Sequence, residues 1–260
     1  MKDLVKEHIL NLYEKGLRDD GRKFDEFRKP IKVEYGISSK SAEGSAKVTI
    51  GETEVVAGVK MAVEKPFPDT PDKGNLMVNV ELLPLSCPEF ETGPPGIDSI
   101  ELSRVVDRGI RESEMVDFEK LCIKEGESVW SVSIDIYPIN NAGNLFDAAA
   151  LAAIAALKDT KMPKLTKNGK VDYKEHGKSL PLQNIPIGCT VRRMGDKLVI
   201  DPNINEEGMF DSRLTVFTLE NKEICAMQKG GEQGLTIDEI AKMVELAAKK
   251  GAELRSCLKW

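Results

Sequence analysis

The sequence predicts an α+β fold made of two packed modules, and three observations carry that prediction. Short alternating strands followed by a helix occur twice along the chain. A lysine-rich stretch of low periodicity separates the two runs, and 260 residues suffice for two core-forming halves. The hydrophobic fraction of 41% and charged fraction of 31% are those of a globular chain rather than a disordered one. No internal sequence repeat is visible, so the pairing of the halves rests on the order of elements.

Residues 3 to 15 place Leu4, Val5, His8, Ile9 and Leu12 at helical spacing, and Gly16 with the turn-rich Arg18-Asp19-Asp20-Gly21-Arg22 ends that helix. From Pro30 the pattern becomes strand-like: 31–35, 46–50 and 54–60, with Gly51-Glu52-Thr53 turning the second strand into the third. A proline-rich loop (64–75) precedes a strand over 76–82. A second Pro/Gly-rich loop (87–96) leads into a helix from about Ile97 to Met115. A strand over 128–136 follows, and then a helix over 145–157, whose seven alanines require close packing.

Seven lysines between 158 and 181 mark a surface connector. Beyond it, strands are expected at 187–193, 198–201, 214–220 and 223–227. Thr236-Ile237-Asp238-Glu239 then forms a capping box opening the last helix, which runs to about Arg255. The expected organisation is therefore an N-terminal helix with a turn-rich segment (1–28), a first module (29–160), the connector (161–186) and a second module (187–260).

Composition narrows the function. No apolar run reaches membrane-spanning length, and the N-terminus lacks the apolar core of a signal peptide, so no membrane partner and a cytoplasmic location are expected. The five cysteines form no CxxC pair, which suggests neither a disulfide framework nor a zinc ribbon; most are expected to be buried thiols. His8 and His176 are the two histidines, each in a polar stretch and each expected to be solvated. That pair supports neither a histidine metal centre nor a Ser/His/Asp triad, and no cofactor motif is present. A net charge of -6 restricts any nucleic-acid contact to a local patch.

One such patch lies on the 97–115 helix. At 100° per residue Arg104, Arg108 and Arg111 fall within roughly a 60° arc, opposite Leu102, Val105, Val106 and Ile110. Arginines in that arrangement can grip successive phosphates with planar forks of donors. Ser99 and Gly96, at the start of the helix, add free backbone N–H groups that favour anions. The alternative is a solvated face on which Asp107 pairs with Arg111 and Glu112 with Arg108.

Carboxylates form the second constellation: Asp135 and Asp147 around Asn140-Asn141-Ala142-Gly143-Asn144, and Asp201, Glu206, Glu207 and Asp211 in the second half. Paired carboxylates can hold a divalent ion for phosphoryl transfer. Asp201-Pro202-Asn203, however, also reads as a strand-end turn, and Glu206-Glu207-Gly208 as an exposed loop.

The ordered set Leu17-Arg18-Asp19-Asp20-Gly21-Arg22, Asp25-Glu26-Phe27-Arg28, Gly44-Ser45-Ala46-Lys47-Val48, Gly51-Glu52-Thr53-Glu54-Val55 and Ser99-Ile100-Glu101-Leu102-Ser103-Arg104-Val105-Val106 resembles the RNase PH family of phosphate-dependent exoribonucleases. In the second half, Glu206-Glu207 before Leu214-Thr215-Val216 is similar to the family's C-terminal module, so the resemblance spans nearly the whole chain. It implies two βαβ-type modules of the ribosomal protein S5 domain 2-like kind, the RNase PH fold.

Within the family the chain is most similar to the non-catalytic ring subunits of archaeal exosomes. That likeness implies a three-plus-three hexameric ring with a catalytic RNase PH-like subunit, RNA-binding cap proteins on the ring, and single-stranded RNA held partly by Arg104, Arg108 and Arg111. It implies no catalytic residue, metal or cofactor in this chain.

Three departures from the active members carry the non-catalytic expectation. Asp98 stands where those members have an arginine, and Asn140 or Asn141 where they have an aspartate. The second family carboxylate falls on either Arg213 or Asp211. The rival expectation is a self-sufficient phosphorolytic enzyme using Asp201, Asp211 and Asp135 or Asp147, and a third is a purely structural ring scaffold.

Overall fold

Apolar residues at every second position of 46–50 and 55–59 put Ala46, Val48, Ile50, Val55, Ala57 and Val59 on one buried face, which is what makes these segments pair as strands. In the computed structural model, which describes residues 2–166 and 170–258, that ribbon is the centre of the larger sheet. Its strands are β1 (Ile31–Tyr35), β2 (Gly44–Ile50), β3 (Thr53–Glu64), β4 (Asn75–Val80), β5 (Cys122–Lys124) and β6 (Ser128–Asn140). They run in the order β1-β2-β3-β6-β4, with β5 beside β6. Only β4 is parallel to its neighbour β6; the other pairs are antiparallel.

Helices α2 (Ile97–Glu112) and α3 (Leu145–Asp159) pack on this sheet, whereas α1 (Lys2–Glu14) lies against the second module. The alanines let α3 sit between modules, against β2 and β3 on one side and, on the other, against the first strand of the second sheet. Every residue from Asp147 to Leu157 is buried. Small side chains permit that closeness, since each removes apolar surface without demanding volume.

The stretch 161–186 is not irregular throughout. Strands β7 (Lys161–Leu165) and β8 (Val171–Ser179) form an antiparallel hairpin within it. Its mostly exposed strands show no buried alternation, the signal from which a strand is read. The second sheet, β10-β9-β11-β12, comprises β9 (Ile187–Met194), β10 (Lys197–Ile200), β11 (Ser212–Thr218) and β12 (Ile224–Gly230).

A short helix, α4 (Ile204–Glu207), follows β10, and α5 (Ile237–Ser256) closes the chain. The Thr236–Glu239 capping box forms as the sequence indicates. A second capping box, Asn203 with Glu206, opens α4.

Docking of α2 on the second sheet explains Gly109. A Cβ there would lie 2.3 Å from the Phe217 ring, so a larger residue would push the modules apart. Ile9 and Tyr13 bury α1 against Val199, Leu12 is half-buried, and the side chain of Leu4 lies outside the described residues. Val5 and His8 are exposed, and the side chain of His176 lies outside the described residues. Of the five free cysteines only Cys87 and Cys189 are buried; Cys122, Cys225 and Cys257 are half-buried, fewer than expected.

Candidate nucleic-acid interface

The helix α2 has two faces of opposite character. Leu102, Val105, Val106, Gly109 and Ile110 are buried, while Arg104, Arg108 and Arg111 are exposed and line one shallow cavity of about 330 Å³. The structure thus brings the three arginines together, but it does not leave them equivalent. Arg111 donates to both oxygens of Asp107, at 3.0 and 2.7 Å, and to the Leu76 carbonyl at 3.1 Å. That hydrogen-bonded pairing raises the Arg111 pKa. Arg104 and Arg108 make no side-chain hydrogen bond or ion pair among the described residues, and the Glu112–Arg108 pair does not form there. Two guanidiniums therefore stand free for an anion, with a partly neutralised third beside them.

At the start of the same helix, Gly96 supplies no side-chain cap and Asp98 occupies the first turn. Ser99 is buried, and its hydroxyl is committed to the Val80 carbonyl. Asp98 borders a much larger cavity of about 950 Å³ between the modules, which also holds Glu101, Asn141, Arg192, Glu207 and Arg213. Asn141 lines the cavity, whereas Asn140 is exposed and donates to the Glu52 carbonyl at 2.6 Å. Arg213 lines it and pairs with Glu101, whereas the Asp211 carboxylate accepts from the Gly195 N–H at 3.0 Å, in the β9–β10 turn.

The remaining carboxylates are dispersed or neutralised. Asp135, on β6, accepts from Asn79 at 3.2 Å outside the cavity. Asp147 is fully buried; burial pushes its pKa up to about 7, the Asp201 charge adds to the rise, and hydrogen bonds from Asn144 and Thr190 oppose it. Asp201 is buried and bound by Arg28 through Nε at 3.0 Å, Nη2 at 2.8 Å and the backbone N–H at 2.6 Å. Arg22 adds a contact at 3.2 Å.

Glu206 is not in an exposed loop as its sequence context suggests. It is fully buried and takes the Arg18 fork at 2.9 and 2.5 Å and the Tyr13 hydroxyl at 2.8 Å. Glu207 accepts from Arg192 at 2.7 Å. Asp201, Asp211 and Asp135 or Asp147 thus do not converge on one open space.

Sequence reasoning missed Arg192 and the whole Arg18/Arg28 network. The signal available for the network was the spacing of arginines at 18, 22 and 28 opposite buried carboxylates nearly two hundred residues away, which no local pattern reveals.

Residues 26–163 match the first domain of the 3′ exoribonuclease family RNase PH, and residues 184–250 match its second domain. The chain is 49% identical over 256 residues to the exosome complex component Rrp42 of Methanocella arvoryzae, covering 98% of this chain and 96% of that protein. It is 45% identical to the Thermococcus gammatolerans exosome complex component Rrp42, covering 99% and 95% respectively. Among solved structures, a chain of the Archaeoglobus fulgidus exosome with RNA bound to the active site superposes with a TM-score of 0.92 at 44% identity, covering 99% of each chain. A chain of an archaeal exosome core gives 0.88 at 41% identity, covering 100% of this chain and 98% of that one.

Proposed function

The chain belongs to the RNase PH family of 3′ exoribonucleases, and from that premise we propose that it is the non-catalytic member of an archaeal-type exosome ring. In that ring it alternates, three plus three, with a catalytic homologue that degrades RNA by phosphorolysis. It structures the homologue's active site and lends arginines to the RNA path. RNA-binding cap proteins sit on the assembly, and its compartment is the cytoplasm.

The observation that carries this reading is the reversed electrostatics of the inter-module cavity. Asp98 stands where active relatives carry an arginine and repels the attacking phosphate, Asn141 cannot act as a base, and of the two candidates for the second family carboxylate it is Arg213, not Asp211, that lines the cavity. Active-site geometry persists as a cavity while its charges oppose the reaction. The face of α2 supplies the other half of the role. Arg104 and Arg108 are free to hold successive phosphates of any sequence, and Arg111 joins them after sharing its charge with Asp107.

A scaffold that never touches RNA is favoured only by the Arg111–Asp107 pair. Native mass spectrometry of this chain mixed with the catalytic homologue, followed by RNA titration, separates the readings. The proposal expects a three-plus-three assembly whose RNA affinity falls when Arg104 and Arg108 become glutamate. An assembly with unchanged affinity would leave the scaffold.

A further inference from the structure

The β7–β8 hairpin carries charge that its packing does not explain. Lys161, Lys164, Lys170, Lys174 and Lys178 are all exposed on it, against the two carboxylates of Asp172 and Glu175. Lys164 pairs with Glu175 at 3.0 Å, and Asp172 accepts from the Lys174 backbone N–H at 2.9 Å. The side chains of Lys161, Lys170, Lys174 and Lys178 make no hydrogen bond or ion pair among the described residues. In a chain of net charge -6 this is a local cationic surface.

Burial does little to hold the hairpin. Among the described side chains of 161–179 only Pro163 is buried, and register shifts on both sides of it interrupt the ladder. A two-stranded hairpin of that kind is marginal alone, and four unpaired like charges add repulsion that a polyanion removes. Charge on exposed edge strands also prevents pairing with another chain, but either sign serves that purpose. Tyr173 points to the nature of the polyanion. It is 49% exposed, with Lys60 Nζ 5.1 Å from its ring centroid. Lys60 alternates with the buried Val59 and Met61, so the ring lies on the outer face of β3, two strands from β4 and the arginines of α2. Lysines around an accessible aromatic ring suit single-stranded nucleic acid, with phosphates on the cations and a base on the ring.

We propose that this hairpin is a second RNA-binding surface, on which Lys161, Lys170, Lys174 and Lys178 hold phosphates of single-stranded RNA and Tyr173 stacks on a base. The inference rests on the reading that this chain meets RNA, but not on the α2 arginines, from which the hairpin is separate.

The test is binding of a fluorescent oligouridylate, across salt concentrations, to the ring assembled from the full-length chain and its catalytic homologue. Lys170→Glu with Lys174→Glu and Lys178→Glu should weaken binding roughly tenfold or more and flatten the slope of log K against log salt by about 2, at about 0.7 per phosphate contact. Glutamate keeps the hairpin edges charged, so edge protection is unaffected; the corresponding three Lys→Gln changes serve if charge reversal prevents assembly. Tyr173→Ala should weaken binding roughly fivefold or more with the slope unchanged. Arg104→Glu with Arg108→Glu, titrated alongside, keeps the two surfaces apart: loss in that variant alone overturns the hairpin proposal, and loss in the hairpin variants alone upholds it while removing the α2 reading. Unchanged binding in the lysine or the tyrosine variant, polyglutamate competing as well as RNA of equal charge, or failure of the ring to assemble with either set of lysine changes would each overturn the proposal.

Discussion

Arg18, Arg22 and Arg28 carry the same side chain as Arg104, Arg108 and Arg111 into opposite settings. The first three are tied to Asp201 and Glu206 across the N-terminal segment and the second module, and Arg18 is 3% exposed. Of the second three, Arg104 and Arg108 meet no carboxylate among the described residues and face outward. An arginine whose donors are consumed by a buried carboxylate fixes architecture, and one left free on a rigid helix is available to a ligand. Asp107 places Arg111 between the two cases.

Breaking the buried set should produce the largest effect. Glu206→Gln leaves the Arg18 charge buried without its counterion, and the expected loss is roughly 3–5 kcal/mol in chemical denaturation. RNA contacts through α2 should survive in whatever fraction stays folded. A loss below 1 kcal/mol would mean that the network is not what joins the N-terminal segment to the second module.

Asp147, buried beside the same network, should make stability depend on pH. Its folded pKa, pushed up to about 7, lies above the ordinary carboxylate value of 3.8. The native state therefore binds more protons than the unfolded chain between those values, and this group lowers stability as pH rises through that window. At about 1.36 kcal/mol per pKa unit the effect is at most about 4 kcal/mol. Thermal unfolding of Asp147→Asn and the parent at pH 5 and pH 8 should show the variant gaining relative stability at the higher pH.

Changing the free set should leave stability nearly untouched and act on RNA. In the assembled ring, Arg104→Glu with Arg108→Glu should flatten the dependence of log K on log salt by about 1.4 for single-stranded RNA, about 0.7 per phosphate contact. An unchanged slope would move both arginines into the structural class. The smallest effect belongs to Arg111→Ala. Losing its (i, i+4) pair with Asp107 should cost about 0.3–0.5 kcal/mol of stability, and RNA affinity should fall less than for Arg104→Ala.

The sequence and the structure agree best where information is local. The buried face of α2, its arginine arc and the Asp107–Arg111 pair all follow from helical spacing within four residues. The capping box at Thr236 is equally local. The β7–β8 hairpin was not legible, because its mostly exposed strands carry no alternating pattern.

Glu206 was misread for a different reason: its partner Arg18 is 188 residues distant, so a polar Glu-Glu-Gly string looks solvated until the fold closes around it. Arg213 and Asp211, two residues apart, take different places that only the third dimension separates. Ser212 begins β11, so Asp211 stays in a turn while Arg213 reaches the cavity.

The most direct test of the central claim is phosphate-dependent release of nucleoside diphosphates from single-stranded RNA, first by this chain alone and then after mixing with its catalytic homologue. No release is expected from the chain alone, and strong release from the mixture. Release by the chain alone, at a rate comparable to the mixture, would contradict it and return catalysis to this subunit.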